Sequence, residues 1–305
     1  MRLVTYKINE TDSQLGFIKE DRVINAEQLG KLKNSALPNN MLDFIDMGDE
    51  GIEKATKLIN DASAEELRQC SLLLADAKLM APIPRPRKNI IGIGLNYTEH
   101  VAESARSLDT SKDLPQQPVI FSKPPTAVTG LGGNIVHNQD LTKQLDYEVE
   151  LAVIISKYGK NVPKDKAMDY VYGYTVINDV SARDCRRSGQ WIVSKGQDTF
   201  APMGPVLVTK DEIEDPHNLN LSLKLNGEER QNSNTKFMLF NINDLINDIS
   251  TVFTIESGDI IATGTPAGVG AGRTPQAFMW PGDVVEATVE GIGTLVNTVV
   301  DAKEI

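Results

Sequence analysis

The chain has 305 residues, 40% of them hydrophobic, and a formal net charge of −11. That is enough to bury a full globular core, and an acidic balance without Lys or Arg clusters argues against nucleic acid or an anionic membrane surface as a partner. The opening residues lack the apolar core of a signal peptide, no apolar run reaches membrane-spanning length, and Cys70 and Cys185 have no CxxC spacing. A cytoplasmic protein with neither a disulfide framework nor a thiolate metal site is expected.

In chain order, residues 2–25 alternate short β-like pieces with turn residues and predict a small meander. Apolar residues at Leu42, Ile45, Ile52, Ala55 and Ile59 follow roughly helical spacing, broken by Gly48 and Gly51. Ser63 with Glu66 forms an S-x-x-E capping pattern that opens a further short helix. The proline-rich connector at 81–87 disfavours helix and marks a boundary between a small N-terminal domain, 1–80, and a larger one, 81–305. Beyond it, strands are predicted at 89–94, 119–122, 147–156, 171–178, 206–209, 219–225, 259–262, 284–289 and 293–300. Helices do not recur between them, so a mostly antiparallel or mixed sheet closing on itself is expected rather than an alternating parallel design. Asn226-Gly227 signals a hairpin, and residues 239–253 carry Ile242, Leu245, Ile246, Ile249 and Phe253 on one helical face.

The segment Asp146-Tyr147-Glu148-Val149-Glu150 places two carboxylates on one face of a strand inside apolar surroundings. Side-by-side anions repel and are costly to desolvate, so a hard cation between them, Mg²⁺, Mn²⁺ or Ca²⁺, accounts for the pattern. Asp179 ends another apolar run and supplies a third carboxylate. His100 and Glu103 are one helical turn apart, and a carboxylate beside an imidazole suits a general base. Asn96 with Glu99 would cap that helix. Lys195 closes an apolar stretch where a partly buried ammonium stabilises developing negative charge, and Arg183 offers a fork for a substrate carboxylate. Ile90–Gly94 lacks the third glycine of a dinucleotide fingerprint. The Gly-rich segment 263–270 lacks the G-K-[ST] of a P-loop but allows a backbone-lined wall for an anionic ligand, with Thr265 as a donor.

Taken together, G-I-G-L-N-Y-T-E-H, D-Y-E-V-E-L-A-V, N-D-V-S-A-R-D, K-G-Q-D-T-F-A-P-M-G-P and G-D-I-I-A-T-G-T-P-A-G-V-G resemble the fumarylacetoacetate hydrolase superfamily, from about Asn89 to Val300. The resemblance implies an α+β, β-rich fold: a mixed β-sandwich or β-roll catalytic domain with a small N-terminal α+β domain, usually in a homodimer. It implies a Mg²⁺ or Mn²⁺ site with Glu148, Glu150 and Asp179 as ligands, His100 with Glu103 as the water-activating dyad, and Lys195 facing the reacting carbon. Arg183 and Thr265, with Tyr97 and Lys123, would contact a keto or dioxo acid substrate. Family members often carry a Gln shortly after the R-D pair; here the segment reads Cys185-Arg186-Arg187-Ser188-Gly189-Gln190, with Arg186 or Gln190 as substitutes.

The expected activity is metal-dependent hydrolysis of a C–C bond in a 2,4-dioxo acid, giving pyruvate and a carboxylic acid. The same parts serve decarboxylation of oxaloacetate, keto–enol tautomerisation, or isomerisation of a 2-hydroxy-diene-dioate. A non-catalytic carboxylate-binding protein is the alternative from another class. A lid is expected at residues 105–117.

Overall fold

The computed structural model describes residues 1–8, 12–107, 113–187 and 189–305. Residues 108–112 of the expected lid lie outside the described residues. The N-terminal strands Arg2–Lys7, Gln14–Lys19 and Arg22–Asn25 form the expected meander by antiparallel pairing. They extend the main sheet, because Leu3 pairs with Leu207 in the strand Ala201–Thr209.

Among the described residues that sheet has twelve strands and is mixed. From Ala201–Thr209 it continues through Val171–Asn178, Val149–Ile155, Ile260–Ala262 and Ile90–Gly94 to Val119–Lys123. Most pairs are antiparallel; Ile260–Ala262 with Ile90–Gly94 is parallel. The order has two ends instead of closing into a ring, since the N-terminal meander occupies the edge that closure would need. A second sheet of five strands contains the hairpin Asn220–Leu225 and Glu228–Asn234, turned at Asn226-Gly227 where both residues have positive φ. Asn and Gly tolerate that left-handed backbone, which is why the pair signals a hairpin.

The strand Val149–Ile155 is buried on both faces, which explains its unbroken apolar run. Leu151, Val153 and Ile155 join a core with Leu221, Leu223 and Val285 of the second sheet. Ala152 and Ile154 face the other way, into a core with Leu3, Phe17 and Phe44 of the N-terminal segment. Glu148 and Glu150 have the same parity as Ala152 and Ile154. One strand face therefore carries packing residues at one end and carboxylates at the other.

Helix Ile242–Val252 is capped by Asn241, which accepts from the Asp244 amide, and buries Ile242, Leu245, Ile246 and Ile249. Phe253 lies past its end and remains 47% exposed. In the N-terminal segment only Met47 lies between helix Met41–Asp46 and helix Gly48–Asn60, and Gly48, at φ 58°, turns the chain at the start of the second. Gly51 is helical: a Cβ there would lie 2.7 Å from that of Met47, so close packing, not a break, accounts for the glycine. Ser63 and Glu66 form the expected capping box. Among the described residues no helix is long and apolar enough to cross a membrane.

Candidate active site

Register brings the three acidic residues together. Val149 pairs with Asn178 and Glu150 with Ile177, and past the ladder the Asp179 amide donates to the Glu148 carbonyl at 2.8 Å. Asp179 thus sits across from Glu148. Glu148, Glu150 and Asp179 are all buried, and one carboxylate oxygen from each lies within 4.8 Å of the others.

Cations are threaded between them. The Lys195 ammonium donates to Glu148 Oε2 and Asp179 Oδ2, both at 2.6 Å. Lys123, fully buried, donates to the other Asp179 oxygen and to the Val180 carbonyl. Arg183 donates through Nε to Asp146 Oδ2 at 2.8 Å and through Nη2 to Glu148 Oε1 at 2.5 Å. Burial opposes the charge on Glu148, yet Lys195 and then Arg183 hold its carboxyl below the ordinary carboxylate range. Burial likewise opposes the charge on Lys195, but Asp179 and Glu148 outweigh it and raise the ammonium. For Lys123 complete burial prevails over Asp179 and lowers it.

Glu150 is the member left without a cation. Among the described residues it makes no ion pair, and one oxygen accepts from the Gly264 amide at 2.8 Å. Burial, then Asp179 and Glu148, push its carboxyl well above the usual value. A divalent ion that took an oxygen from each carboxylate would relieve Glu150 most. Three hard oxygen donors and no sulfur suit Mg²⁺ or Mn²⁺.

His100 and Glu103 lie on helix Thr98–Ser107, with Nδ1 and Oε2 3.2 Å apart and both side chains buried. A proton on Nδ1 donated to Glu103 leaves Nε2 as the basic nitrogen, 3.5 Å from the Ser104 hydroxyl. Glu103 accepts in turn from the Gly268 amide at 3.0 and 3.2 Å. Gly268, at φ 107°, adopts a backbone that side chains disfavour. A Cβ on Gly272 would come within 2.1 Å of the Glu103 carboxyl carbon, so that glycine makes room for the dyad.

The glycine-rich segment does form a wall of amides, but it receives the protein's own carboxylates. Gly264 donates to Glu150, Gly268 to Glu103, Gly270 to Asp146 at 2.7 Å and Ala271 to Asp146 at 3.0 Å. Asp146 is a residue that sequence reasoning missed. It is fully buried and ties this segment to Arg183. Its signal was its place in the same alternation as Glu148 and Glu150.

His100, Ser104, Glu148, Glu150, Arg183, Lys195 and Thr265 line one cavity, with Arg186 and Trp191. Three expected substrate contacts are placed otherwise than as free donors, the first being Lys123, whose ammonium is fully buried on Asp179 and the Val180 carbonyl. Arg183 already spends its fork on Asp146 and Glu148. The Thr265 hydroxyl donates to the Val149 carbonyl at 2.9 Å and accepts from Gln231. Tyr97 is buried with a hydroxyl that has no hydrogen-bond partner among the described residues, and burial with the nearby Glu150 raises it. Asn96 lies two residues before the helix and does not cap it. It clamps two segments, donating to the Phe240 and Thr263 carbonyls and accepting from the Phe240 amide. His137 ends the strand Asn134–His137 and packs 5.2 Å from the Trp280 ring.

A family model described as fumarylacetoacetate hydrolase, C-terminal, matches residues 89–300. The chain belongs to the fumarylacetoacetate hydrolase family. It is similar to oxaloacetate tautomerase YisK of Bacillus subtilis, at 41% identity over 92% of this chain and 94% of that protein. It is also similar to the mitochondrial oxaloacetate tautomerase fahd2 of Xenopus laevis, at 39% identity over 98% and 90%. Among solved structures, maleylpyruvate hydrolase from Sphingobium sp. SYK-6, in complex with manganese(II) and pyruvate, superposes with a TM-score of 0.78 at 27% identity, covering 99% of both chains.

Proposed function

We propose that this member of the fumarylacetoacetate hydrolase family is a Mg²⁺- or Mn²⁺-dependent tautomerase that interconverts the keto and enol forms of an oxaloacetate-type 2-oxo acid. The observation that carries the reading is a buried base on the wall of the carboxylate cavity: His100, oriented by Glu103, shares that cavity with Glu148, Glu150 and Lys195. When bound, the divalent ion supplies Lewis-acid polarisation of the 2-oxo group.

The chain's own residues supply the rest. Tautomerisation breaks the C3–H bond and forms an O–H bond on the 2-oxo oxygen, so the site needs a group that takes a proton and gives it back. His100 Nε2 is suited to this because Glu103 holds the other nitrogen and steadies the imidazolium. Lys195 contributes positive charge where negative charge develops. No water has to enter the reaction, which agrees with a base buried at 4% exposure. The similarity to two tautomerases supports this choice, whereas the hydrolase resemblance comes at lower identity.

The test is oxaloacetate enol–keto conversion followed by ultraviolet absorbance, with Mg²⁺ or Mn²⁺ present. His100→Ala should lower turnover by roughly two to four orders of magnitude while calorimetry shows divalent-ion binding nearly unchanged. Wild-type protein that releases pyruvate from an acylpyruvate faster than it tautomerises oxaloacetate would restore hydrolysis as the leading reading. Binding without turnover of either would favour a carboxylate-binding protein.

A further inference from the structure

The strand Val149–Ile155 has a neighbour on each side. On one side it pairs with Val171–Asn178, and Glu148 continues that pairing: its amide donates to Asn178 Oδ1 at 2.9 Å and its carbonyl accepts from the Asp179 amide. On the other, Ala152 to Ile154 pair with Ile260–Ala262, and the Thr263 amide still reaches the Leu151 carbonyl at 3.1 Å. There the neighbouring chain turns away at Gly264, at φ 101°, whose amide goes to the Glu150 carboxylate instead. Successive strand residues aim their backbone groups at opposite neighbours. The amide and carbonyl of Val149, a fully buried residue between the two carboxylates, are therefore left facing the gap.

Side chains fill it. The Val149 amide donates to Gln231 Oε1 at 2.9 Å, Gln231 Nε2 donates to the Thr265 hydroxyl at 2.8 Å, and that hydroxyl donates back to the Val149 carbonyl at 2.9 Å. The second Nε2 hydrogen goes to the Pro266 carbonyl at 2.9 Å. Among side chains of this length, only a carboxamide accepts at one atom and donates twice from the next. Gln231 is buried and belongs to Glu228–Asn234, the end strand of the second sheet. Arg230 is the extra residue of a bulge there, since Leu223 pairs with Gln231 but Lys224 with Glu229, and a bulge re-aims the side chains beside it. The same hairpin lies close against the glycine-rich segment: a Cβ on Gly268 would come 2.1 Å from the Arg230 carbonyl oxygen.

We propose that Gln231 is a positioning residue for the divalent ion: by standing in for the missing strand partner of Val149 it fixes the backbone between Glu148 and Glu150, and with it the spacing of their carboxylates. This rests on the reading of those carboxylates as metal ligands, not on the reaction that follows. Gln231 is not among the residues that line the cavity, so it acts through Val149. Groups that orient ligands from behind in this way set metal affinity without contributing a donor atom.

The experiment titrates the full-length protein with Mn²⁺ alone and reads the dissociation constant by calorimetry. Gln231→Met keeps the length of the side chain and loses its hydrogen bonds; it should weaken Mn²⁺ by roughly 10- to 100-fold. Thr235→Val is the control for general softening, since Thr235 follows the same strand, is buried, and bonds to the Pro216 carbonyl and the Leu219 amide. It should lower the thermal midpoint as Gln231→Met does and leave the Mn²⁺ affinity at the wild-type value. In the oxaloacetate assay of Gln231→Met, the Mn²⁺ concentration for half-maximal rate should rise with the dissociation constant, while the rate at saturating Mn²⁺ stays close to wild type. Equal weakening of Mn²⁺ in both variants, or in neither, overturns the assignment. If Gln231→Met does not fold, Thr265→Val decides, because it opens the same ring from the other side: weaker Mn²⁺ binding supports the role and an unchanged affinity overturns it. A wild type that binds Mn²⁺ without converting oxaloacetate removes the proposed activity and leaves the ratio of affinities to decide the role of Gln231, whereas one that binds no Mn²⁺ overturns both.

Discussion

Lys33 with Glu66 at 2.8 Å and Lys195 with Glu148 at 2.6 Å are the same chemical contact in two settings. The first lies in the N-terminal segment, on side chains 18% and 33% exposed, and ties one short helix to the end of another. The second lies where its two side chains are 7% and 4% exposed, beside Asp179, Arg183 and Glu150. Partly solvated pairs of the first kind contribute little and are weakened by salt. Buried charges of the second kind are poor stabilisers compared with apolar packing, but removing one partner strands the other. The contrast separates charges that help hold the chain from charges that the chain has to hold.

The strongest challenge to that contrast is to remove the lysine from each. Lys195→Met leaves Glu148 and Asp179 facing each other without their shared donor and should destabilise the metal-free protein by about 3–5 kcal/mol. Lys33→Met should cost far less. Urea unfolding of both variants gives the numbers. Equal losses would mean that the buried cluster is an ordinary structural network.

Glu150 sharpens the comparison in the opposite direction. Its carboxyl is raised by burial and by two neighbouring carboxylates, so the isosteric Glu150→Gln should leave the metal-free protein as stable as wild type, or more so. The variant should lose the stabilisation that Mg²⁺ gives wild type, about 2.7 kcal/mol at a hundred times the dissociation constant. Thermal midpoints with and without Mg²⁺ measure both parts. If the variant is destabilised without metal and still gains from Mg²⁺, Glu150 is no ligand.

Tyr97 is a smaller case of the same kind, a buried polar group whose hydroxyl has no partner among the described residues. Tyr97→Phe should change stability by less than about 1 kcal/mol and can raise it, because the hydroxyl forfeits solvation without a compensating bond. A rise in KM with unchanged stability would mark Tyr97 as a substrate contact, whereas a large loss of stability would mean that the hydroxyl is bonded in solution.

The two regions also differ in how much of them could be read from the chain. The capping box at Ser63 is local, with both partners inside one helical turn, so its signature and its structure coincide. Glu148 and Glu150 share a strand face, and period two was enough to pair them. Asp179 reaches them through strand register, which no local pattern encodes. The hydrogen bonds from Gly264, Gly268 and Gly270 to Glu150, Glu103 and Asp146 span more than a hundred residues, and a glycine-rich turn reads alike whether its amides serve a ligand or the protein. The occupancy of Arg183 was hidden for the same reason, since a basic fork is visible in sequence and its partners are not.

The surface pair supplies the smallest effect and the cleanest sign. Lys33, and then the Ser63 amide, hold the Glu66 carboxyl down to about 2, against an ordinary value of 4.5. A carboxyl lowered on folding adds stability that is fully present above the ordinary value and drains away as pH falls from about 4.5 toward about 2. Glu66→Gln should therefore melt slightly below wild type at pH 6, and the gap should narrow below about pH 4.5 and close only near pH 2. Raising ionic strength at pH 6 should narrow it as well, because a partly solvated pair is screened within about 10 Å at 0.1 M salt. The gap between wild type and Lys195→Met should persist under the same salt, as buried charges are screened far less. If both gaps respond to salt alike, solvent reaches the carboxylate layer, and the division between the two regions is one of position rather than of physics.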